Sequence, residues 1–164
     1  MSVVGSPLRI EPLSRHRERI AEVAALLHAE WSALPPWRER AQIEARLARS
    51  DDEDGLPHTS VALTKSGALL GTASIKLDEL PIARGPTYWL GEVFISPAHR
   101  GRHIGSALIA HCITFARRHG LPALHLYTPD QQALYHRFGW RHWREAEVNG
   151  ERVTVMQLLL DTTE

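Results

Sequence analysis

Cysteine, net charge and long apolar runs are all scarce in this sequence, and each scarcity narrows the class of protein. Cys112 is the single cysteine among 164 residues, so an intrachain disulfide is excluded and the cysteine content does not indicate an oxidising compartment. No apolar run approaches the roughly 18 residues that a membrane-spanning helix needs, and the amino-terminal segment lacks the apolar centre of a signal peptide. We therefore expect a cytoplasmic protein that does not enter a membrane.

The charges of the sequence cancel. There are 19 basic and 19 acidic residues, which give a formal net charge of zero, so we expect no general attraction to nucleic acid. Only Lys65 and Lys76 among the basic residues are lysines. The histidines also carry no metal-ligand pattern: His99 and His103 are four residues apart, but no cysteine or acidic residue stands at ligand spacing from them. We therefore predict no metal site.

What is present is one domain's length of chain with an ordinary hydrophobic content of 43%. Apolar residues at helical and alternating spacings predict the order βαα-βββ-α-β-α-ββ, a mixed sheet with helices on its faces. In this interpretation Ser14 caps a helix that runs to Trp31, and Asp130 caps a later helix that runs to Phe138. The dipeptide Asn149–Gly150 predicts the turn of the last hairpin.

The most informative segment is a glycine-containing turn between a predicted strand and a predicted helix. Its sequence is ISPAHRGRHIGSAL, residues 95–108, with Arg100, Gly101 and Gly105 at the start of the helix. Such a turn exposes backbone N–H groups at the positive end of a helix dipole, which is how many proteins hold phosphates. The segment is neither a Gly-x-Gly-x-x-Gly dinucleotide motif nor a P-loop, because no Gly-Lys-Ser/Thr is present.

This segment resembles the acetyl-CoA signature of the GCN5-related N-acetyltransferase (GNAT) superfamily, Arg/Gln-x-x-Gly-x-Gly/Ala after a strand that ends in Val-x-Pro. A second segment, ALYHRFGW at residues 133–140, is similar to the Leu-Tyr-x-x-x-Gly-Phe segment of that superfamily. The resemblance covers nearly the whole chain and implies a single N-acetyltransferase domain over residues 1–164. The implied fold class is α/β (α+β), a GNAT-like mixed, mostly antiparallel central sheet of about seven strands flanked by about four helices.

The resemblance also assigns residues to the co-substrate acetyl-CoA. Backbone N–H groups of the turn would hold the pyrophosphate, and in the family the preceding strand splays from its neighbour and frees backbone groups for the pantetheine arm. The implied acetyl-CoA-binding residues are Val93, Phe94, Ile95, Arg100, Gly101, Arg102, His103, Ile104, Gly105, Ser106 and Asp130. Asp130 stands where the family often has an asparagine that contacts CoA, although a role as a helix cap would also explain it.

His103 stands where the family has its first glycine. A left-handed backbone at this position would carry a modest strain for histidine, whereas a right-handed one would carry none. The imidazole either donates to a phosphate or points to solvent.

Two residues are the candidates for proton transfer. Tyr135 matches the tyrosine that protonates the departing thiolate in the family, although a tyrosine on an amphipathic helix is also typical of the core. Glu92 interrupts an apolar strand, and a carboxylate there needs a wet pocket or a partner, so it is either the general base or one half of a pair with an Arg or His.

The resemblance implies an N-acetyltransferase that moves the acetyl group of acetyl-CoA to a primary amine of a small molecule by direct attack in a ternary complex. Trp31, Trp37 and Trp89 are the expected walls of the amine pocket. One alternative is an amino-terminal peptide acetyltransferase, whose acidic substrates would need basic groups such as Arg38, Arg40 and Arg84. Another is a non-catalytic acyl-CoA-binding module on the same fold. The sequence is compatible with a homodimer.

Overall fold

Seven segments of the chain pair into one sheet, and four α-helices flank it in the computed structural model, which describes residues 8–50 and 52–160. The strands are β1 (Arg9–Pro12), β2 (His58–Leu63), β3 (Leu69–Leu77), β4 (Tyr88–Ile95), β5 (Ala123–Thr128), β6 (Arg141–Val148) and β7 (Glu151–Leu159). The helices are α1 (Ile20–Trp31), α2 (Arg40–Ala48), α3 (Ile104–Arg118) and α4 (Gln132–His136). The predicted fold class and element order are confirmed. Both ends of the predicted domain, residues 1–7 and 161–164, lie outside the described residues.

The sheet is antiparallel except at its centre. Its strand order is β1-β2-β3-β4-β5-β7-β6, and β4 and β5 are the parallel pair. These two strands pair only at Trp89 and His125, near the start of β4. From that point the strands separate towards their carboxyl ends, so the second half of β4 has a neighbour on the β3 side alone. Ligands in open α/β sheets bind in such a crevice at the carboxyl ends of strands.

The helices bury their apolar faces on the two sides of this sheet. On α3 the predicted stripe is buried throughout, from Ile104 to Ala116, and Cys112 within it is fully buried. Burial raises the pKa of the Cys112 thiol to about 12, so this group is an unreactive core residue. On the opposite side α1 and α2 pack through residues that include Leu27 and Ile43. None of the helices among the described residues is long and apolar enough to cross a bilayer.

The predicted cap at Ser14 is wrong. Leu13 is fully buried beside β2 and begins a 3-10 turn at Leu13–Arg15, after which a second one follows at Arg17–Arg19. Helix α1 therefore begins only at Ile20, and no side chain caps it. The need to bury Leu13 directly after β1 outweighs the capping preference of serine.

The predicted cap at Asp130 is also wrong. Helix α4 begins at Gln132, and the Thr128 Oγ1 atom accepts hydrogen bonds from the N–H of Gln131 at 3.0 Å and of Asp130 at 3.4 Å. The hydroxyl at the end of β5 thus holds the backbone that leads into the helix. The helix ends at His136 rather than at Phe138, because the chain turns through Gly139 with a φ of +96°.

Candidate active site

The strand β4 contains a bulge at Glu92. Thr72 pairs with Phe94 and Ser74 pairs with Gly91, so Glu92 and Val93 both lie opposite the single residue between Thr72 and Ser74. Glu92 has a φ of +54°, and the hydroxyl of Thr72 donates to its carbonyl oxygen at 2.9 Å. Such a bulge re-aims side chains and increases the local twist. It lies beside the gap between β4 and β5.

The turn after β4 has the shape expected for an anion-binding segment. Gly101 has a φ of +81°, and His103, directly before α3, has a φ of +63°. His103 therefore adopts the left-handed backbone conformation, which histidine tolerates better than most residues, and its side chain is exposed. No atom lies within 4 Å of a Cβ built on Gly101, and one built on Gly105 would meet only Ile95 at ordinary contact distances. Packing within the protein thus does not require these glycines, which leave open space in front of the helix.

A cavity of about 380 Å³ extends along this turn and the open edge of β4. Nine of the residues predicted to bind acetyl-CoA line it: Val93, Phe94, Ile95, Arg100, Gly101, His103, Ile104, Gly105 and Ser106. We call this space the donor cavity. Arg102 is exposed in the turn and is not among its lining residues, and Asp130 lines the neighbouring cavity instead.

The side chain of Arg100 folds back across the donor cavity. Its Nε atom donates to the carbonyl oxygen of Ile95 at 2.9 Å, and one Nη atom lies 3.5 Å from a carboxylate oxygen of Glu30. The guanidinium carbon lies 5.5 Å from the centre of the Phe94 ring. The Arg100 side chain is half exposed, so these contacts hold it weakly and leave it free to turn towards a phosphate.

A second cavity of about 530 Å³ opens between β4, β5 and the segment after α1. Trp31, Trp37 and Trp89, the three predicted walls of the amine pocket, all line it. Five carboxylates also line it, those of Glu30, Glu79, Glu92, Asp130 and Glu151. Lys76 is the only cationic side chain in its lining among the described residues. We call this space the acceptor cavity. Its charge favours a positively charged ligand.

Glu92 is held by two partners in the wall of the acceptor cavity. Its Oε2 atom lies 3.0 Å from the Lys76 Nζ atom, and its Oε1 atom accepts a hydrogen bond of 3.1 Å from Ser74. The same ammonium lies 2.9 Å from Glu79. Burial by itself would lower the pKa of Lys76, but the carboxylates of Glu92 and Glu79 outweigh it and hold the pKa above its ordinary value. Glu92 therefore has the ion-pair partner that a charge within an apolar strand requires, and that partner is a lysine.

Tyr135 stands where the two cavities meet. It lines both of them, together with Glu30, Trp31, Val93 and Gln131. Its ring packs edge-on against Trp140, with the ring centres 6.0 Å apart. Burial raises the pKa of the Tyr135 hydroxyl to about 12, so the group is protonated and able to donate at neutral pH.

The chain also matches known proteins. The family model described as the acetyltransferase (GNAT) family matches residues 21–140. The chain belongs to the GNAT acetyltransferase family. Family membership makes it an acyltransferase that uses acetyl-CoA as donor, which confirms the activity class and co-substrate expected from the sequence. Among curated proteins, none matches the sequence significantly.

Several solved structures share the fold. The yncA protein of Salmonella typhimurium, solved with its cofactor acetyl-CoA, has a TM-score of 0.74 and 21% identity, with 98% of this chain and 96% of that chain covered. A variant of the spermidine N-acetyltransferase SpeG from Vibrio cholerae has a TM-score of 0.71 and 16% identity, covering 93% of each chain. Arabidopsis thaliana NAA60, in complex with a bisubstrate analogue, has a TM-score of 0.68 and 16% identity, covering 96% of this chain and all of that one. At these identities the structures establish the common fold alone.

Proposed function

We propose that this GNAT enzyme transfers the acetyl group of acetyl-CoA to the primary amine of a small molecule by direct attack while both substrates are bound. The observation that carries the proposal is that the donor cavity and the acceptor cavity meet at Val93 and Tyr135. A thioester in one cavity and an amine in the other would have their reacting atoms at this junction, and such proximity is a large part of the rate acceleration.

The residues of the donor cavity fit the charges and shape of acetyl-CoA. The 15-residue helix α3 presents its positive end and its first N–H groups to the open space that Gly101 and Gly105 leave. These groups would bind the pyrophosphate, and Arg100 would turn from Glu30 to add its charge. The backbone of residues 93–95, unpaired with β5, would bind the pantetheine arm.

The groups at the junction suit acyl transfer. The thioester supplies an activated acetyl group. A backbone N–H near Val93 would polarise its carbonyl and stabilise the negative charge that develops on the oxygen. Glu92 would take a proton from the attacking amine, directly or through water, and Tyr135 would give its proton to the sulfur as the carbon–sulfur bond breaks.

The charge of the acceptor cavity supports a small amine over an acidic peptide. An acidic peptide needs basic groups in the pocket, and Arg38, Arg40 and Arg84 do not line this cavity. Arg84 instead lines a separate recess beside Asp78. Trp31 and Trp37 are half-buried and offer apolar surface to the body of the amine, whereas the predicted wall residue Trp89 is only 1% exposed and offers almost none. Glu79 and Glu151 offer charge to its ammonium.

The test is an acetyl-transfer screen that follows thiol release across polyamines, aromatic amines, aminoglycosides, free amino acids and acidic peptides. We expect the highest kcat/KM with a small cationic amine, and a preference for acidic peptides would overturn the proposal. Glu151→Gln removes one exposed carboxylate from the acceptor cavity and should raise the KM for the amine roughly two- to five-fold. Glu147→Gln, a change at an exposed residue of β6 that does not line the cavity, is the matched control and should leave the KM unchanged.

A further inference from the structure

Lys76 reaches the acceptor cavity along a path built for it. It lies on β3 opposite Trp89, and its side chain crosses Gly91 on the neighbouring strand. A Cβ on Gly91 would lie 3.1 Å from the Lys76 Cδ atom, tighter than an ordinary contact, so the glycine makes room for the lysine stem. The ammonium then lies between Glu79 and Glu92, and 5.7 Å from the centre of the Trp37 ring.

We infer that Lys76 is a positioning residue of the acceptor cavity: its ammonium holds the Glu92 carboxylate in place and neutralises one of the two carboxylates beside it. This inference rests on the proposed function, in which Glu92 takes a proton from an amine. Glu79, Lys76 and Glu92 together carry one net negative charge, which matches one incoming ammonium group. These three side chains thus set both the orientation of the Glu92 carboxylate and the number of positive charges that the cavity wall attracts.

The other groups around this cluster do not replace Lys76. Ser74 donates one hydrogen bond to Glu92 but carries no charge. Tyr127 faces the cluster from β5, and burial raises the pKa of its hydroxyl, so it stays neutral. Arg46 of α2 and Arg49, directly after that helix, line a small recess of about 190 Å³ on the other side of Lys76 and Glu92, and neither lines the acceptor cavity.

Among the described residues, the remaining charged groups of the acceptor cavity are carboxylates, on α1, on the segment after β5 and at the start of β7: Glu30, Asp130 and Glu151. Loss of the Lys76 ammonium therefore leaves Glu79 and Glu92 facing each other without a cation in this cavity. Glu79 and Glu92 lie 2.9 Å and 3.0 Å from the same Nζ atom, so the two carboxylates are close to each other. Like charges this close favour uptake of a proton by the pair. The group that must be ionised to accept a proton from the amine would then be protonated at a higher pH than in the wild type.

The test compares Lys76→Met with Lys65→Met, which removes the chain's other lysine from the exposed turn between β2 and β3. In Lys76→Met we expect the rising limb of the kcat/KM profile to move to higher pH. We also expect the preference for a diamine over a monoamine of similar length to increase on the order of tenfold, because the wall gains a net negative charge. Lys76→Arg should restore part of both properties, and Lys65→Met should behave as the wild type.

Gly91→Ala provides an independent perturbation that keeps the charge. Its methyl group would push the Lys76 stem and should change the pH profile in the same direction but by less, which keeps the inference testable if Lys76→Met does not fold. The stabilisation that acetyl-CoA gives each variant reports whether its donor cavity is intact. A pH profile and diamine preference that coincide with the wild type in both Lys76→Met and Gly91→Ala would overturn the inference.

A readout without turnover separates this inference from the proposed function. In protein labelled with ¹³C at the glutamate carboxyl carbons, Glu92→Gln identifies the Glu92 resonance, and its pH titration can be compared between wild type and Lys76→Met. A titration that moves to higher pH supports the role of Lys76 even if no amine in the screen is acetylated, an outcome that would refute the proposed acceptor class alone. An unmoved titration refutes the role of Lys76 even if acetyl transfer is fast.

Discussion

His58 should make the protein lose stability in mild acid. Its ring is buried on β2 and lies in a stack with Phe115 of α3 and His119, directly after that helix, with ring centres 4.0 Å and 3.9 Å apart along the stack. Its Nε2 atom lies 3.1 Å from the Ser60 hydroxyl, whereas its Nδ1 atom is buried with no hydrogen-bond partner among the described residues. Burial, followed by the nearby positive charges of His111 and His119 when protonated, lowers the pKa of His58 to about 4.

The sign and size of the effect follow from this pKa. The unfolded chain binds a proton at about 6.5 and the folded protein only near 4, so protonation favours unfolding. The stabilisation that depends on unprotonated His58 is fully present above the pKa of this residue in the unfolded chain. It is lost as the pH falls from about 6.5 to about 4. A difference of about 2.5 pKa units corresponds to about 3 kcal/mol in total, of which about 2 kcal/mol is lost between pH 7 and pH 5.

The assay is equilibrium unfolding in urea at pH 7 and at pH 5, with the wild type compared with His58→Gln. Glutamine does not titrate, so the variant should lose about 2 kcal/mol less than the wild type over this interval. His103→Gln, an exposed change in the turn before α3, is the control and should keep the wild-type pH dependence. If wild type and His58→Gln lose equal free energies of unfolding between these two pH values, the reasoning is refuted.

The parts of the fold that were predictable from the sequence are those in which one pattern persists over several residues. The apolar stripe of α3 and the Asn149–Gly150 turn both lie where the sequence predicts them, because periodicity and turn chemistry are local properties. The caps were not predictable in the same way. Asp130 has good capping chemistry, but the hydroxyl of Thr128, held at the end of a buried strand, accepts the hydrogen bonds of the N–H groups before the helix. That placement depends on how β5 sits in the sheet.

The same limit explains why the sequence led to Glu92 but not to Lys76. A charged side chain in an apolar strand needs a partner. This requirement holds for Lys76 in the segment TASIKL and equally for Glu92 in the segment LGEVF. Regular alternation places Glu92 on the opposite face of β4 from Gly91, across which Lys76 runs. The bulge and the φ of +54° at Glu92 bring both charges to one face. No sequence pattern predicts a left-handed backbone conformation at Glu92, so the ion pair of Lys76 and Glu92 is identified only in the structure.

Two further predictions test the donor cavity and its junction with the acceptor cavity. Gly105→Glu adds bulk and negative charge beside Ile95 at the start of α3, so it should abolish the rise in Tm that acetyl-CoA produces while the unliganded protein still folds; a rise equal to that of the wild type would contradict binding at this turn. Tyr135→Phe keeps the ring against Trp140 and removes only the hydroxyl at the junction, so it should lower kcat roughly 10- to 1,000-fold with little change in the KM for acetyl-CoA. With a pKa of about 12, the Tyr135 hydroxyl stays protonated across the assay range, so its removal should lower the whole pH–rate profile rather than shift a limb. An unchanged kcat in a variant that still binds acetyl-CoA would assign Tyr135 to packing and leave the thiolate to take its proton from water.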